Sequence, residues 1–284
     1  MMEITSDWEM KNSYSMSGVD REKKIVKYTV IAQTDRGNVK TTNQDSVMYC
    51  HADSEMGEIL MAVICDGMGG LEKGELASAT VIRAFHKWFK EQLPYELEKP
   101  DLNVIGSQWA LMLKELNGKI LEYSRMHGIE GVGTTFTGIL FVQNQYVAVH
   151  VGDTRLYYLD RSIKKLTTDH TFIAREISRG TLTEEQAKSD KRRNLLLQCV
   201  GASKHVDPEI ITGDVKKGVY MLCSDGFRHE ISEKEIFDSL NPKAAKNTKI
   251  MKERAEKLID LVKQRGETDN ISVLVIKAEG GERS

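Results

Sequence analysis

Short apolar runs separated by turn residues are the dominant pattern of hydrophobic and polar positions along this chain. Many of these runs are rich in valine, isoleucine and aromatic residues, which is typical of buried β-strands. None of them approaches the ~20 apolar residues that a transmembrane helix needs. The pattern predicts strands at residues 28–33, 46–50, 58–65, 134–142, 146–151, 155–159, 209–214, 219–223 and 271–276.

Between the third and fourth predicted strands, and again before the last one, apolar residues recur at spacings of three and four. This spacing is typical of amphipathic helices, whose apolar stripe packs against a sheet. The last helix is predicted near residues 244–265 and stops at Gly266, a residue type favoured just past a helix C-terminus. The stripes consist of Ile82, Phe85 and Phe89 in the first helix, Trp109, Leu113, Leu116, Ile120 and Tyr123 in the second, and Met251, Ala255, Leu258 and Val262 in the last.

The order of these elements is strands, two helices, strands, one helix and a final strand. Because strict alternation of strands and helices is missing, a doubly wound parallel sheet does not fit. We predict an α+β fold, with a central two-sheet, mainly antiparallel β-sandwich flanked by helices. Residues 28–280 are expected to form one domain after an N-terminal tail at residues 1–27. Within the domain, the polar segment 168–203 has helix signals of its own, including a capping-box sequence at Thr183 and Gln186.

Composition narrows the class of protein. Of the 284 residues, 40% are hydrophobic and 29% are charged, as in soluble globular proteins. A formal net charge of −2 gives no attraction to nucleic acid or to an anionic membrane surface. The tail lacks the apolar core of a signal peptide, so we expect a cytoplasmic protein whose tail is mobile or weakly docked. Without C-x-x-C spacing, the cysteines are expected to be buried, reduced thiols, with redox sensing as the alternative, at Cys50, Cys65, Cys199 and Cys223.

Aspartates stand at the ends of four of the apolar runs, each with a glycine or an asparagine beside it. Asp66, Asp153 and Asp225 follow predicted strands, and Asp269 precedes one. Taken singly, an Asp-Gly pair is a turn far more often than a metal ligand. Several carboxylates gathered at one edge of a sheet, however, repel each other unless cations lie between them. Asp45, just before the second strand, is a fifth candidate.

The residue types indicate which metals fit such a cluster. None of the seven histidines belongs to an H-x-H or H-x-x-x-H pair, and ligation by oxygen alone favours Mg²⁺ or Mn²⁺. Two such ions ~3.5–4 Å apart activate a water and stabilise an in-line displacement at phosphorus. A cation must then hold the phosphate oxygens of the substrate. Lys40, upstream of Asp45, is the candidate for phosphate binding, and an exposed, solvated lysine is the alternative.

Six short motifs follow one another in order along the chain. They are Asp35-x-Gly37…Lys40-x-x-Asn43-Gln44-Asp45, Asp66-Gly67-Met68-Gly69-Gly70, Gly133-Thr134-Thr135, Val151-Gly152-Asp153-Thr154-Arg155, Ser224-Asp225-Gly226 and Asp269-Asn270. Together they resemble the motifs of the metal-dependent protein phosphatases of type 2C, over residues 28–277. The glycine-rich stretch at residues 67–70 is no nucleotide loop, since no Gly-Lys-[Ser/Thr] follows it.

The resemblance implies a dinuclear Mn²⁺ or Mg²⁺ centre at one end of the sandwich. It makes Asp66, which would bridge both ions, and Asp225 the residues that catalysis needs most. Asp153 with Asp225 would hold a third ion. The segment 168–203 falls where the family has its flap, a mobile subdomain beside the active site, although an ordinary surface loop is the alternative. The implied ligands of the two core ions are Asp45, Asp66, the carbonyl of Gly67, Asp225 and Asp269, some through water.

Three positions depart from the family pattern. Lys40 stands where arginine is common, which keeps the charge but loses the planar fork that binds two oxygens at once. Met68 stands where many animal members have histidine, and methionine cannot donate a proton. Gln44 replaces a glutamate found in some members, which removes one carboxylate contact to metal. We therefore expect weaker or differently oriented phosphate binding on an unchanged core ligand set.

The function implied by the resemblance is hydrolysis of phosphoserine and phosphothreonine in proteins by a metal-bridged water, in one in-line step. The chain also lacks the C-x₅-R loop of phosphatases that use a cysteine nucleophile. We expect a monomer whose partners are phosphorylated proteins, including a cognate serine/threonine kinase and its substrates. One alternative is a phosphatase dedicated to a single regulator of the anti-anti-sigma type, which a missing flap would favour. The other is an inactive pseudophosphatase that serves as a binding module, which degraded metal positions would favour.

Overall fold

Two mainly antiparallel sheets form the centre of the computed structural model, as predicted. The structure describes residues 3–9, 26–68, 73–129, 131–188, 190–192 and 195–280. The strands are β1 (Glu3–Glu9), β2 (Val26–Asp35), β3 (Ser46–Ser54), β4 (Gly57–Cys65), β5 (Gly67–Met68), β6 (Gly133–Thr134), β7 (Phe136–Val142), β8 (Gln145–Val151), β9 (Arg155–Leu159), β10 (Ile163–Lys165), β11 (Glu209–Asp214), β12 (Gly218–Cys223) and β13 (Ile271–Gly280).

The strand order shows how the sheets are built. The larger sheet has the order β1-β3-β4-β7-β8-β11, the smaller one has the order β10-β9-β12-β13-β2, and β5 pairs with β6 in a separate ribbon. Among the described strands, only β1 runs parallel to its neighbour, pairing Glu3 with Val47 and Glu9 with Asp53. The rest of the predicted tail, apart from the start of β2, lies outside the described residues.

Helices cover the outer faces of both sheets, which gives the predicted α-β-β-α layers. Since side chains alternate along a strand, central strands carry apolar rows on both faces. One row fills the space between the sheets, around Leu60, Leu222 and Leu274. The other packs against α1 and α3 on the six-stranded sheet and against α7 and α8 on the five-stranded sheet. The helices are α1 (Gly74–Glu91), α2 (Leu93–Glu96), α3 (Leu102–Met126), α4 (Phe172–Ser178), α5 (Glu184–Lys188), α6 (Asp225–Arg228), α7 (Glu233–Leu240) and α8 (Thr248–Gln264).

Helix ends show where side-chain capping decides the boundary. The predicted helix near residues 244–265 begins only at Thr248, because the side chain of Asn247 accepts a hydrogen bond from the amide of Ile250. The capping box at Thr183 and Gln186 is confirmed, since each side chain accepts a hydrogen bond from the amide of the other residue. Helices α6 and α7 were not predicted from their apolar spacing.

Two further expectations concern the cysteines and the membrane. All four cysteines are buried and free, which agrees with the prediction of unpaired buried thiols. No helix in the described part of the chain is both long enough and apolar enough to cross a bilayer.

Candidate metal centre

Asp45 and Asp66 leave the six-stranded sheet side by side. The ladder between β3 and β4 pairs Ser46 with Cys65, so the two aspartates lie directly beyond the last pair, on facing strands. Asp45 is 1% exposed and Asp66 is partly buried. The predicted strand ends therefore bring two of the candidate ligands together.

Asp153, Asp225 and Asp269 meet at the corresponding end of the five-stranded sheet. Pairing of Arg155 with Cys223 between β9 and β12 leaves Asp153 and Asp225 facing each other beyond the ladder. Strand β13 runs alongside β12 and begins just after Asp269. All five predicted carboxylates thus converge at one end of the sandwich, where each of Asp45 and Asp66 lies within electrostatic range of Asp225 and Asp269.

Main-chain contacts fix the position of Asp66 and of the following carbonyl. The hydroxyl of Thr134 donates a hydrogen bond to the carbonyl of Asp66, and the amide of Asp66 donates to the hydroxyl of Thr135, both at 2.9 Å. Gly67 packs so closely on the backbone of Gly74 and Gln44 that a Cβ atom would overlap both carbonyl oxygens. Only glycine allows this approach, which explains two of the recognised motifs in physical terms.

Asn270 connects the loop that carries Lys40 and Asp45 to the start of β13. Its side-chain amide donates hydrogen bonds to the carbonyls of Arg36 and Thr42, at 2.9 and 3.0 Å. Its side-chain oxygen accepts one from the amide of Gln44, at 2.9 Å. Sequence reasoning recorded Asn270 within a motif but missed this positioning role, because its partners are more than two hundred residues away along the chain.

Burial and mutual repulsion make the cluster hard to ionise. Burial, together with the charges of Asp225 and Asp269, raises the pKa of Asp45 to about 7. Burial and the charge of Asp225 raise the pKa of Asp153 to about 6, against the opposing charge of Arg228. The pKa of Asp66 lies well above its usual range, first through burial and then through the charge of Asp45. These carboxylates cannot all be ionised together unless cations compensate them.

Unpartnered oxygens show that the cluster fits metal ions. Among the described residues, neither carboxylate oxygen of Asp45 has a hydrogen-bond partner, and neither does Oδ1 of Asp225. The neighbouring hydroxyl of Ser272 donates to Thr34 instead, at 2.8 Å. Buried carboxylate oxygens without partners are costly, and hard divalent cations satisfy such oxygens directly. The donor set of Asp45, Asp66, Asp225 and Asp269 therefore fits Mn²⁺ or Mg²⁺.

Lys40 lies at the edge of the same cluster. Its Nζ is 3.0 Å from Oδ1 of Asp269, and both side chains are about two-fifths exposed. Partial burial lowers the pKa of Lys40, but the hydrogen bond and the charge of Asp269, followed by the charges of Asp66 and Asp225, outweigh burial and raise it. The lysine is therefore charged, and it lies within electrostatic range of Asp66 and Asp225.

A second basic group, Arg228, contacts the cluster from α6. Its Nη2 donates hydrogen bonds to the carbonyl oxygen and to the carboxylate of Asp153, at 3.2 and 3.3 Å. The next residue, His229, lies 3.7 Å from Oδ2 of Asp225 and 3.5 Å from Oε2 of Glu267. Sequence reasoning missed Arg228, His229 and Glu267, and no local pattern indicated them.

The segment 168–203 begins at a different kind of carboxylate. Asp169 accepts hydrogen bonds from Nε and Nη2 of Arg155 and from Nζ of Lys165, at 2.6 to 3.2 Å. Although burial opposes ionisation, these cations lower the pKa of Asp169 to about 2. The next residue, His170, exchanges two hydrogen bonds with the main chain of Gly152, beside Asp153. The base of the segment 168–203 is therefore joined to the cluster end of β8.

Two further groups of side chains have possible ligand atoms within 4.8 Å of one another. In the group that contains His170, Nδ1 of His170 accepts a hydrogen bond from the amide of Gly152, and Glu209 accepts from the amide and hydroxyl of Thr168. With its Nδ1 occupied, a neutral His170 carries its proton on Nε2, so neither ring nitrogen offers a free lone pair. The groups are His150, His170 and Glu209, and His51, Asp53 and Glu58.

The remaining motif residues lie around the cluster. Asp35 accepts from the amide of Gly37 and is paired with Lys263 of α8, at 2.7 and 2.9 Å. It therefore shapes the turn before Lys40. Met68 pairs with Gly133 in the β5–β6 ribbon, while Gly69 and Gly70 lie outside the described residues.

Comparisons with known proteins show what this chain is similar to. A profile of the protein phosphatase 2C family matches residues 33–262. The chain is 32% identical over 247 residues to the serine/threonine protein phosphatase PstP of Mycobacterium tuberculosis, covering 86% of this chain but 44% of PstP. It therefore spans less than half the length of that relative. It is 29% identical over 250 residues to a putative protein phosphatase 2C-type of Streptococcus pyogenes, covering 87% of this chain and 96% of that one. The structure of the PstP catalytic domain in complex with two manganese ions matches with a TM-score of 0.71 and 30% identity, over 89% of this chain and 99% of that one.

Proposed function

Because the chain belongs to the protein phosphatase 2C family, we propose that it is a metal-dependent phosphatase that hydrolyses phosphoserine and phosphothreonine in proteins. The observation that carries the proposal is the convergence of five carboxylates, four of them around Asp66, together with the unpartnered oxygens of Asp45. The similarity to the serine/threonine phosphatase PstP, whose catalytic domain has been crystallised with two manganese ions, supports the substrate class and the metal.

Different residues of the chain have different roles in the proposed reaction. Asp45, Asp66, the carbonyl of Gly67, Asp225 and Asp269 would hold two ions of Mn²⁺ or Mg²⁺. Such ions, when bound, supply positive charge to the phosphoryl group and lower the pKa of a water.

Lys40 would bind the phosphate oxygens through its charged Nζ. To do so it must share its Nζ with Asp269, which holds the lysine in place before the substrate enters. The flexible lysine stem lacks the planar fork of an arginine, so the orientation of the phosphate depends more on the carboxylate-held ions than it would with arginine. Met68 offers no proton, so the leaving-group oxygen takes its proton from water.

The proposal includes a place in signalling. A protein phosphatase needs a kinase to supply its substrate, so a serine/threonine kinase and its phosphorylated targets are the proposed partners. We further propose that the chain acts in the cytoplasm as a monomer, with the segment 168–203 as a flap that contacts the substrate protein.

Hydrolysis of a phosphothreonine peptide tests the proposal. We expect phosphate release with Mn²⁺ or Mg²⁺, none with EDTA, and a loss of about 1000-fold or more in Asp225→Ala, since metal ions supply several kcal/mol of transition-state stabilisation. The matched control is Asp238→Ala on the exposed face of α7. Among the described residues, the carboxylate of this aspartate accepts a hydrogen bond from Lys234 alone. This control should keep full activity.

Two outcomes would contradict the proposal. Near-normal activity in Asp66→Ala would show that this carboxylate does not hold the catalytic metals. Silence under every metal, from a protein shown by circular dichroism to be folded, would favour the binding-module alternative.

A further inference from the structure

The ion pair between Arg228 and Asp153 lies at the rim of the acidic cluster. Arg228 is the last residue of α6, one helical turn after Asp225, so both project toward the same side of the helix. The two side chains of the pair are 13% and 12% exposed. A guanidinium keeps its charge at every pH at which proteins are folded. Asp153 therefore has a permanent cationic partner supplied by the chain.

Arg228 has no better partner within the described residues. Asp169 is also within electrostatic range, but Arg155 and Lys165 already bind its oxygens. The Nε of Arg228 is buried and has no hydrogen-bond partner among the described residues. The positive charge of Arg228 is thus directed to Asp153, which compensates only part of it. A further cation beside it would meet repulsion in a poorly solvated site.

A third metal ion needs this same carboxylate. The resemblance to type 2C phosphatases implies that Asp153 and Asp225 hold it together. An ion bound to Asp153 would lie next to the guanidinium, which contacts both the carboxylate and the carbonyl oxygen of that residue. In the part of the chain that the structure describes, Asp45, Asp66 and Asp269 have no such buried basic partner, and the half-exposed Lys40 pairs with Asp269. The residues therefore fit two ions but not a third one at Asp153.

We propose that Arg228 takes the place of the third metal ion, so that the centre holds two ions and Asp153 is neutralised by the arginine. This inference rests on the proposed two-metal function and narrows it. The third positive charge is then part of the polypeptide, and its presence does not depend on the concentration of free metal.

Counting bound Mn²⁺ per chain tests the inference. Equilibrium dialysis up to millimolar free Mn²⁺, with metal analysis of the protein, should give two ions for the unaltered chain and for Asp153→Asn. Arg228→Ala should gain a third ion, and Arg228→Lys, the matched control that keeps the charge, should stay at two. The gained ion should disappear again in the double variant Arg228→Ala with Asp153→Asn. Thermal unfolding of each variant shows that the counted protein is folded.

Two results would overturn the inference. The first is three ions in the unaltered chain that fall to two in Asp153→Asn. The second is a folded Arg228→Ala variant that still binds only two, which would show that the arginine is not what excludes the third. Binding of no Mn²⁺ by the unaltered chain is a different result, because it would contradict the proposed function itself.

Discussion

Asp45 and Asp169 are both nearly buried, 1% and 9% exposed, but their surroundings are opposite. Asp169 is held by Arg155 and Lys165, and its pKa falls to about 2. Asp45 has no hydrogen-bond partner for either oxygen among the described residues, and burial beside other acids raises its pKa to about 7. An aspartate is thus stabilising at the start of the segment 168–203 and destabilising at the end of the sandwich.

This difference separates carboxylates that hold the fold from carboxylates that we propose as metal ligands. A structural aspartate comes with its cation built into the chain. A carboxylate that binds metal must keep its oxygens free of other partners. Without metal, repulsion between such carboxylates therefore destabilises the folded state. Asp153 lies between the two cases, because it has the raised pKa of the cluster and a basic partner in Arg228.

Replacing Asp45 by asparagine should have the largest effect and should separate activity from stability. We expect kcat/KM for a phosphothreonine peptide to fall about 1000-fold, because a metal ligand is lost. In EDTA, the same change should raise the free energy of unfolding by about 1–2 kcal/mol at pH 8, because it removes a buried charge. Urea unfolding measures the second effect. If Asp45→Asn were less stable than the unaltered chain in EDTA, the contrast drawn between Asp45 and Asp169 would be wrong.

Replacing Asp169 by asparagine should lower the stability of the protein. Removal of one partner leaves the buried guanidinium of Arg155 uncompensated, and we expect a loss of about 3 kcal/mol. Urea unfolding of Asp238→Asn is the control, since that aspartate is paired with Lys234 at the surface. The control should unfold like the unaltered chain. An equally stable Asp169→Asn would show that the ion pair contributes no net stability.

The pH dependence of the stability of the metal-free protein should reveal the ionisation of both Asp45 and Asp169. The pKa of Asp169 is lowered to about 2, so its contribution is present above the unfolded pKa of ~3.9 and is lost as pH falls toward 2. The pKa of Asp45 is raised to about 7, so its contribution is complete below ~3.9 and is lost as pH rises through 7.

Stability in EDTA should therefore be greatest at mildly acidic pH and fall on both sides. Urea midpoints between pH 2 and pH 9 measure this profile. Asp45→Asn should reduce the fall on the alkaline side, to which Asp66 and Asp153 also contribute through their raised pKa values, and Asp169→Asn should reduce the fall on the acidic side. Identical profiles for the two variants would remove the distinction between the two carboxylates.

Lys40→Ala should give the smallest effect. The pair with Asp269 is partly exposed, so solvent screens it and stability should hardly change. Loss of a charged contact to phosphate should lower kcat/KM about tenfold. Lys40→Arg, which keeps the charge, should recover most of the activity. An unchanged kcat/KM in Lys40→Ala would show that the lysine does not bind phosphate.

The parts of the fold that could be predicted are those encoded by local patterns. The apolar runs identified the central strands, because a buried strand needs apolar residues wherever it lies. Their end residues Asp66 and Asp225 were predicted to meet because strand ends share an edge of the sheet. The capping box at Thr183 could also be predicted, because its two residues are close together in the sequence. Ser232 and Glu235 form an equally readable capping box before α7, and this signal was overlooked.

Contacts between distant parts of the chain could not be predicted. The partners of Asn270 lie at residues 36–44, and Arg228 meets Asp153 across 75 positions. A sequence pattern gives no distance between such residues. The parallel pairing of β1 with β3 was missed because the tail is polar and has no strand period. Electrostatic partners, unlike strand ends, follow from the tertiary structure alone.

The contact between Gly67 and Gly74 couples the start of α1 to the proposed metal centre. The two glycines touch through their backbones, and a Cβ atom on Gly74 would lie 2.7 Å from the carbonyl carbon of Gly67. Since α1 packs on the six-stranded sheet, a shift of this helix along the sheet would also shift the carbonyl of Gly67. Substitutions on the buried face of α1 can therefore alter metal affinity without changing any of the five carboxylates.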